Sequence, residues 1–173
     1  EFDTFSNFDQ LDPSENHISI HTRGSKYPNS ANHTHSLGQS VGIRDLTGPP
    51  VSVRIVYSPR FDEDAATRVP HNLANLGHFL TNGASYVQGG APQWMEGFGM
   101  LKIYLFGDAT PILVVPLNLD ATLRLNHGRA WVGFTASTGA DTWQSHEVLD
   151  WSFRQSREDV QPLRSAYPAF VVN

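Results

Sequence analysis

The chain has 173 residues, 39% of them hydrophobic and only 17% charged, which is the balance of one globular domain rather than a disordered segment. A formal charge of −5 and a pI near 5.8, with no basic patch, argue against nucleic acid or an anionic membrane surface as partner. No apolar run approaches the roughly 18 residues of a membrane span, and with no cysteine the redox compartment stays open.

The chain opens with Glu1, Asp3 and Phe5 alternating with Phe2 and Thr4, the period-two pattern of a strand with one polar face. Two carboxylates on one strand face repel each other. They are tolerated where a cation lies between them, or where one is kept protonated for acid–base chemistry. The residues that follow favour the cation. Asn7 offers an amide oxygen, Asp12-Pro13 a carboxylate in a turn, and His17 opens an apolar run, HISI, that returns an imidazole towards the same place. Carboxylate, amide and main-chain carbonyl oxygens suit calcium, whereas imidazole with several carboxylates suits manganese or zinc. An acidic strand end and a solvated loop is the plainer reading, and the order of ligand types argues against it.

In the order EFDTFSN, DP and HISI, this stretch resembles the metal-binding loop of the legume-type, concanavalin A-like lectins. Their pattern runs Glu-hydrophobic-Asp-Thr-aromatic-x-Asn, then Asp-Pro, then His-Ile-x-Ile. The resemblance implies manganese (Mn2+) on Glu1, Asp3, Asp12 and His17. It implies calcium (Ca2+) on Asp3, the Phe5 carbonyl, Asn7 and Asp12, with the Asn7 side chain and the Phe5 ring also touching sugar.

Residues 22–45 are polar, and histidines stand at 21, 33 and 35. Without acidic or cysteine companions at regular spacing this tract reads as surface loop rather than as a metal site. Asn32-His33-Thr34 is a glycosylation sequon and points to the secretory pathway. Gly48-Pro49-Pro50 is a breaker, and residues 51–57, VSVRIVY, alternate as a strand closed by Ser58-Pro59. Between 60 and 99, Leu73, Leu76, Phe79 and Leu80 fall at helical spacing, with Asn82-Gly83 to end the helix. Residues 89–92 and 97–99 read as loop, with Trp94 and Phe98 packed over the sheet. The lectin connection is usually shorter, so an insertion is expected at about 60–99.

Residues 101–106, LKIYLF, and 112–115, ILVV, flank Gly107-Asp108 as an antiparallel hairpin, and Pro116 ends the second strand or marks an edge. Residues 131–136, WVGFTA, and 148–153, VLDWSF, bring the count to at least five strands with no convincing long helix. Trp151 and Phe153 share one face, expected to point to the core. The pattern predicts an all-β, antiparallel sandwich, with 154–173 as a tail or peripheral strand.

Residues 129–139, RAWVGFTASTG, and 146–153, HEVLDWSF, resemble the C-terminal signature of the same lectins. The resemblance implies a lectin-like jelly roll, with 1–153 as the C-terminal portion of the domain. The loop after Gly139 would close one side of the sugar site: Gly139 and Ala140 offer backbone N–H groups and Asp141 accepts from sugar hydroxyls. An ordinary solvated loop is the alternative for Asp141 and Trp143, and His146 and Glu147 read as structural. The family's site also draws an Asp and a Gly from upstream strands, so a processed or truncated product is expected, with a companion chain supplying them. Glycans or glycoproteins are the other partners, and a homo-oligomer is left open.

The expected function is reversible glycan binding, with no catalytic residue. The rival is a glucanase on the same sandwich, carrying Glu-x-Asp-x-x-Glu on one strand. Glu1-Phe2-Asp3 matches its start, but position 6 is Ser6. A metal-stabilised structural or adhesion domain without sugar binding is the third reading.

Overall fold

The structure is a computed structural model that describes residues 1–60, 87–88, 91–92, 99–139, 143–155 and 170–172. β1 (Phe2–Asp3), β2 (His17–His21) and β3 (Ser36–Val41) form an antiparallel sheet in that order. A second sheet holds β4 (Val53–Ser58), β7 (Gly99–Leu105), β8 (Leu113–Leu117), β9 (Phe153–Gln155) and β10 (Phe170–Val172). Its order is β8-β7-β4-β10-β9, with every neighbouring pair antiparallel. β5 (Val87–Gln88) and β6 (Ala91–Pro92) pair separately, and a short helix α1 (Leu119–Leu123) follows β8.

Period-two alternation decides which side chains meet between the sheets. Ile18 and Leu37 of the first sheet share one buried cluster with Tyr57, Ile103, Leu105, Leu113, Val115 and Leu117 of the second. Each such side chain contributes roughly 1.5–3 kcal/mol when taken fully out of water. On the opposite face of the larger sheet the Arg54 guanidinium lies 3.7 Å over the Tyr104 ring, so the charge there is carried by an aromatic neighbour in the next strand. The architecture is the antiparallel β-sandwich expected from the sequence.

The expected hairpin is present. Phe106 (φ 57°) and Gly107 (φ 78°) both take the left-handed backbone that matches strand twist in a tight turn, and Asp108 N–H donates to the Leu105 carbonyl at 2.9 Å. Phe106 tolerates that strained backbone under the Arg44 guanidinium, 3.8 Å above its ring, while Arg44 also pairs with Asp108 at 2.7 Å. Pro116 sits in β8, which among the described residues has β7 as its sole neighbour, so the missing N–H falls on an edge strand.

Several expectations need correction. Residues 36–41 form β3, although residues 22–45 read as loop; two large apolar residues, Leu37 and Val41, were too weak a pattern to mark a strand. Residues 89–92, read as loop, include β6. Residues 131–136 and 148–152 are not strands, because no described segment offers them hydrogen-bonding partners; only 153–155 of that region joins a ladder. Trp151 and Phe153 consequently do not enter the core, being 44% and 39% exposed, and Trp151 packs edge-on against Phe134 at 5.5 Å. β10, in the stretch expected as tail or peripheral strand, takes an interior place between β4 and β9. The helix expected over 73–80 and the packing of Trp94 and Phe98 lie outside the described residues. No helix among the described residues is long and apolar enough to cross a membrane.

Tyr57 links the core to the edge of the sheet. Its hydroxyl donates to the Leu117 carbonyl at 3.1 Å, and Gly99 leaves room for its ring, since a Cβ there would lie 2.6 Å from Tyr57 Cζ. Burial, reinforced by the Asp120 carboxylate, pushes the phenol up to about 12 from 10.0. The unfolded chain therefore loses this proton first as pH rises, and stability falls between pH 10 and about 12. The loss amounts to roughly 2–3 kcal/mol at 1.4 kcal/mol per pH unit. In alkaline denaturation curves Tyr57→Phe should flatten this limb while costing about 1 kcal/mol at neutral pH for the lost hydrogen bond. An unchanged alkaline limb would show that Tyr57 does not carry it.

A candidate metal centre beneath the N-terminal loop

The pairing of β1 with β2 fixes which residues share the outer face of the small sheet. Asp3 lies opposite His17 and Phe2 opposite Ile18, and Ser19 N–H donates to the Glu1 carbonyl at 3.1 Å. Because side chains alternate, Glu1, Asp3, His17, Ser19 and His21 stand on one face while Ile18 enters the core. A sheet's outer face is ordinarily solvated. Here His17 and Ser19 are fully buried, since the loop from Thr4 to Asn16 and a 3-10 turn, His33–His35, fold over them.

Main-chain hydrogen bonds shape that loop. The Asn7 carbonyl accepts from Gln10 at 3.0 Å and Asp12 at 3.4 Å, and Leu11 reverses the chain at φ 61°. Asp12 returns towards the sheet, and its Oδ2 accepts from Asn7 N–H at 2.6 Å. Its Oδ1 is buried without a hydrogen bond. The 3-10 turn is capped by Asn32, whose Oδ1 accepts from Thr34 N–H at 3.0 Å and whose Nδ2 donates to the Asp9 carbonyl at 3.2 Å. The sequon asparagine thus ties the turn to the loop and delivers His33 to the cluster.

Five side chains converge. His17 Nε2 and His33 Nε2 are 3.0 Å apart, and His33 Nε2 lies 3.5 Å from both Glu1 Oε2 and Asp12 Oδ1. Glu1 Oε2 is 2.7 Å from His21 Nε2 and 3.9 Å from His17 Nε2. Two trios have ligand atoms close enough for one ion, Glu1 with His21 and His33, and Asp12 with His17 and His33. Carboxylate and imidazole together are donors for a transition-metal ion, and the buried Asp12 Oδ1 without a hydrogen bond is a further donor of the kind a cation takes.

The electrostatics agree with a pocket built around charge. Burial works against ionisation of Glu1, but hydrogen bonds from His21 and Ser19 and the charge of His21 outweigh it and hold the carboxyl at about 2. His33 is pushed below the ordinary histidine range, first by burial and further by His21 and His17, against the opposing pull of its Gln39 hydrogen bond and of Glu1.

Of the expected metal ligands, Glu1, Asp12 and His17 come together. Asp3 shares their face, and its Oδ1 accepts from Phe5 N–H at 3.0 Å. Asn7 engages Asp12 through its main chain, and Phe5 is half exposed. Gly139 lies in an exposed segment without regular structure, and Ala140 and Asp141 lie outside the described residues. The Thr4 hydroxyl donates to Gln144 Oε1, which sets the segment after residue 142 beside the N-terminal loop. His21 and His33 were not expected here. Period two carries His21 onto the face of His17, so its signal was present; His33 arrives from a turn that no periodicity marks. Both correct the reading of the histidine tract as surface loop.

Glu1 ordinarily titrates near 4.5, so on acidification the unfolded chain takes up its proton first. Its contribution to stability is full above about pH 4.5 and is lost as pH falls towards about 2. Glu1→Gln should flatten the acid-denaturation limb in that window. A limb of unchanged slope would show that Glu1 is not held by His21 and Ser19.

Comparison with known proteins adds an independent line. Residues 99–167 match the legume lectin domain, a stretch that begins with β7 and lies beyond the N-terminal loop. No curated protein and no solved structure matches the chain. Over residues 99–167 the chain matches the legume lectin domain, in agreement with the legume-type lectin resemblance of its motifs.

Proposed function

We propose that this protein is a lectin that binds carbohydrate reversibly, at a site held in shape by bound metal. The lectin domain match points to carbohydrate binding, and Asp12 carries the finer reading. One oxygen of its carboxylate holds the Asn7 main chain at 2.6 Å; the other is buried in the histidine–carboxylate cluster without a hydrogen bond. A cation that engages Asp12 would therefore also fix the loop that presents Asn7 and Phe5.

In this reading Glu1, Asp3, Asp12 and His17 hold a transition-metal ion such as manganese, and Asp3, the Phe5 carbonyl, Asn7 and Asp12 hold calcium. The metals supply fixed positive charge and no chemical step. The Asn7 amide, the Phe5 ring and the backbone of Gly139, Ala140 and Asp141 contact the sugar. The hydrogen bond from Thr4 to Gln144 supports a shared site for the two loops. At position 6, where a glucanase would need its third acid, the residue is the exposed Ser6.

Glycan-array binding with calcium and manganese, repeated after chelation, tests this reading. Binding should vanish on chelation while far-UV circular dichroism still reports folded sheets, and should return when the ions are restored. Asn7→Ala should weaken binding about tenfold, the worth of one or two hydrogen bonds. Binding that survives chelation would refute the metal-organised site.

We also infer that strands of a companion chain cover residues 131–139 and 143–153. Trp131 is fully exposed, and Phe134, Val148, Leu149 and Trp151 are exposed as well, with Phe134 against Trp151. Tryptophan emission of the protein purified from its natural source should be blue-shifted relative to the 173-residue chain alone. Identical, water-like emission from both would rule out such a partner.

A further inference from the structure

We propose that Glu1, Asp12, His17 and His33, with His21 beside Glu1, form an imidazole-rich site that takes zinc or another nitrogen-preferring divalent ion in preference to manganese. This deepens the metal part of the proposed function and does not depend on sugar binding.

The argument begins with which ring nitrogens carry hydrogen. His17 Nδ1 lies 2.8 Å from the Ser14 carbonyl, which can only accept, so Nδ1 is the protonated nitrogen and Nε2 carries a lone pair. His33 Nδ1 lies 2.8 Å from Gln39 Oε1, so this ring too is held through Nδ1 with Nε2 turned to the cluster. The two Nε2 atoms, which are the nitrogens turned away from Ser14 and Gln39, face each other at 3.0 Å in the middle of the cluster. Around them Glu1 Oε2 and Asp12 Oδ1 each lie 3.5 Å from His33 Nε2. These side chains are sequestered, with 0% of His17, 5% of His33 and 1% of Asp12 exposed.

The spacings within each trio, Asp12 with His17 and His33 and Glu1 with His21 and His33, suit one ion. Ligand atoms about 2.0–2.1 Å from a tetrahedral centre lie roughly 3.3 Å apart. The remote Nδ1 of His17 lies against the Ser14 carbonyl and that of His33 against Gln39 Oε1, the arrangement that orients a ring and raises ligand basicity at metal centres. Donor chemistry then selects the ion. Manganese is satisfied by carboxylate, carbonyl and water, while two or three imidazoles favour zinc, cobalt, nickel or copper, which lie higher in the affinity order. His33 is the decisive member because it belongs to both trios of convergent ligands. With Asp9 accepting from the Asn32 amide and Gln39 from His33, elements on either side hold it in place.

The test uses the full chain, stripped with chelator and then offered zinc and manganese in competition, with cobalt as a spectroscopic probe. Zinc should displace manganese at one site per chain. X-ray absorption on the unaltered protein should count two or three imidazoles around the ion. His33→Gln should weaken zinc binding by at least about tenfold, the loss that even an outer-sphere partner causes, with much less effect on manganese. A single imidazole around the ion would overturn the proposal without any variant, as would equal affinity for the two metals. Glycan binding that requires metal but ignores His33 would refute this inference alone. Zinc binding that requires His33, without glycan binding, would refute the lectin reading alone.

Discussion

Two imidazole nitrogens facing each other at 3.0 Å inside a buried pocket are the constraint on which the N-terminal half of this protein rests. Every neighbouring element is arranged to hold the two rings together. β1 and β2 set Glu1 against Ser19 and Asp3 against His17; the loop turns Asp12 inward; the 3-10 turn delivers His33. Burying three histidines and two carboxylates is expensive unless their charges and hydrogen bonds are matched. A bound cation turns the same arrangement into one that stabilises the fold, and this couples metal occupancy to the shape of the loop above.

The two halves of the sandwich therefore depend on different physics. The larger sheet is held by alternating aliphatic side chains against Ile18 and Leu37, a generic hydrophobic core that tolerates conservative exchange. The outer face of the small sheet is polar and buried, so geometry matters there far more than volume. Thr4 and Gln144 form the described polar bridge between that face and the segment after Gly139, within reach of the loop that carries Phe5 and Asn7.

Much of this was legible in the sequence where a local pattern had a local cause. Leu101, Ile103 and Leu105 alternate, Gly107 permits the turn and Pro116 marks an edge, and the hairpin follows from these residues alone. Glu1, Asp12 and His17 could be named because period two and a turn signal place them. Trp131 and Trp151 show the limit: an alternating apolar run says that a segment can lie in a sheet, but the hydrogen-bonding partner is a separate requirement. His33 shows another, since its place depends on an asparagine cap and on Gln39 across a bulged strand pair. Those are tertiary facts with no period.

The interior position of β10 has a kinetic consequence. β4 pairs with β7 on one side and β10 on the other, with Val172 opposite Ile55, so a contact at the middle of the sheet joins residues separated by most of the chain. β9 reaches the sheet only through β10. During synthesis one edge of β4 stays open until residues 170–172 have been made, and closing it carries the loop entropy of the whole intervening segment. An open β4 edge rich in Val and Ile is a template for pairing with other chains. The order in which this protein folds is thereby set by its topology: hairpin first, sheet closure late, with the interval between them the period of greatest exposure to aggregation.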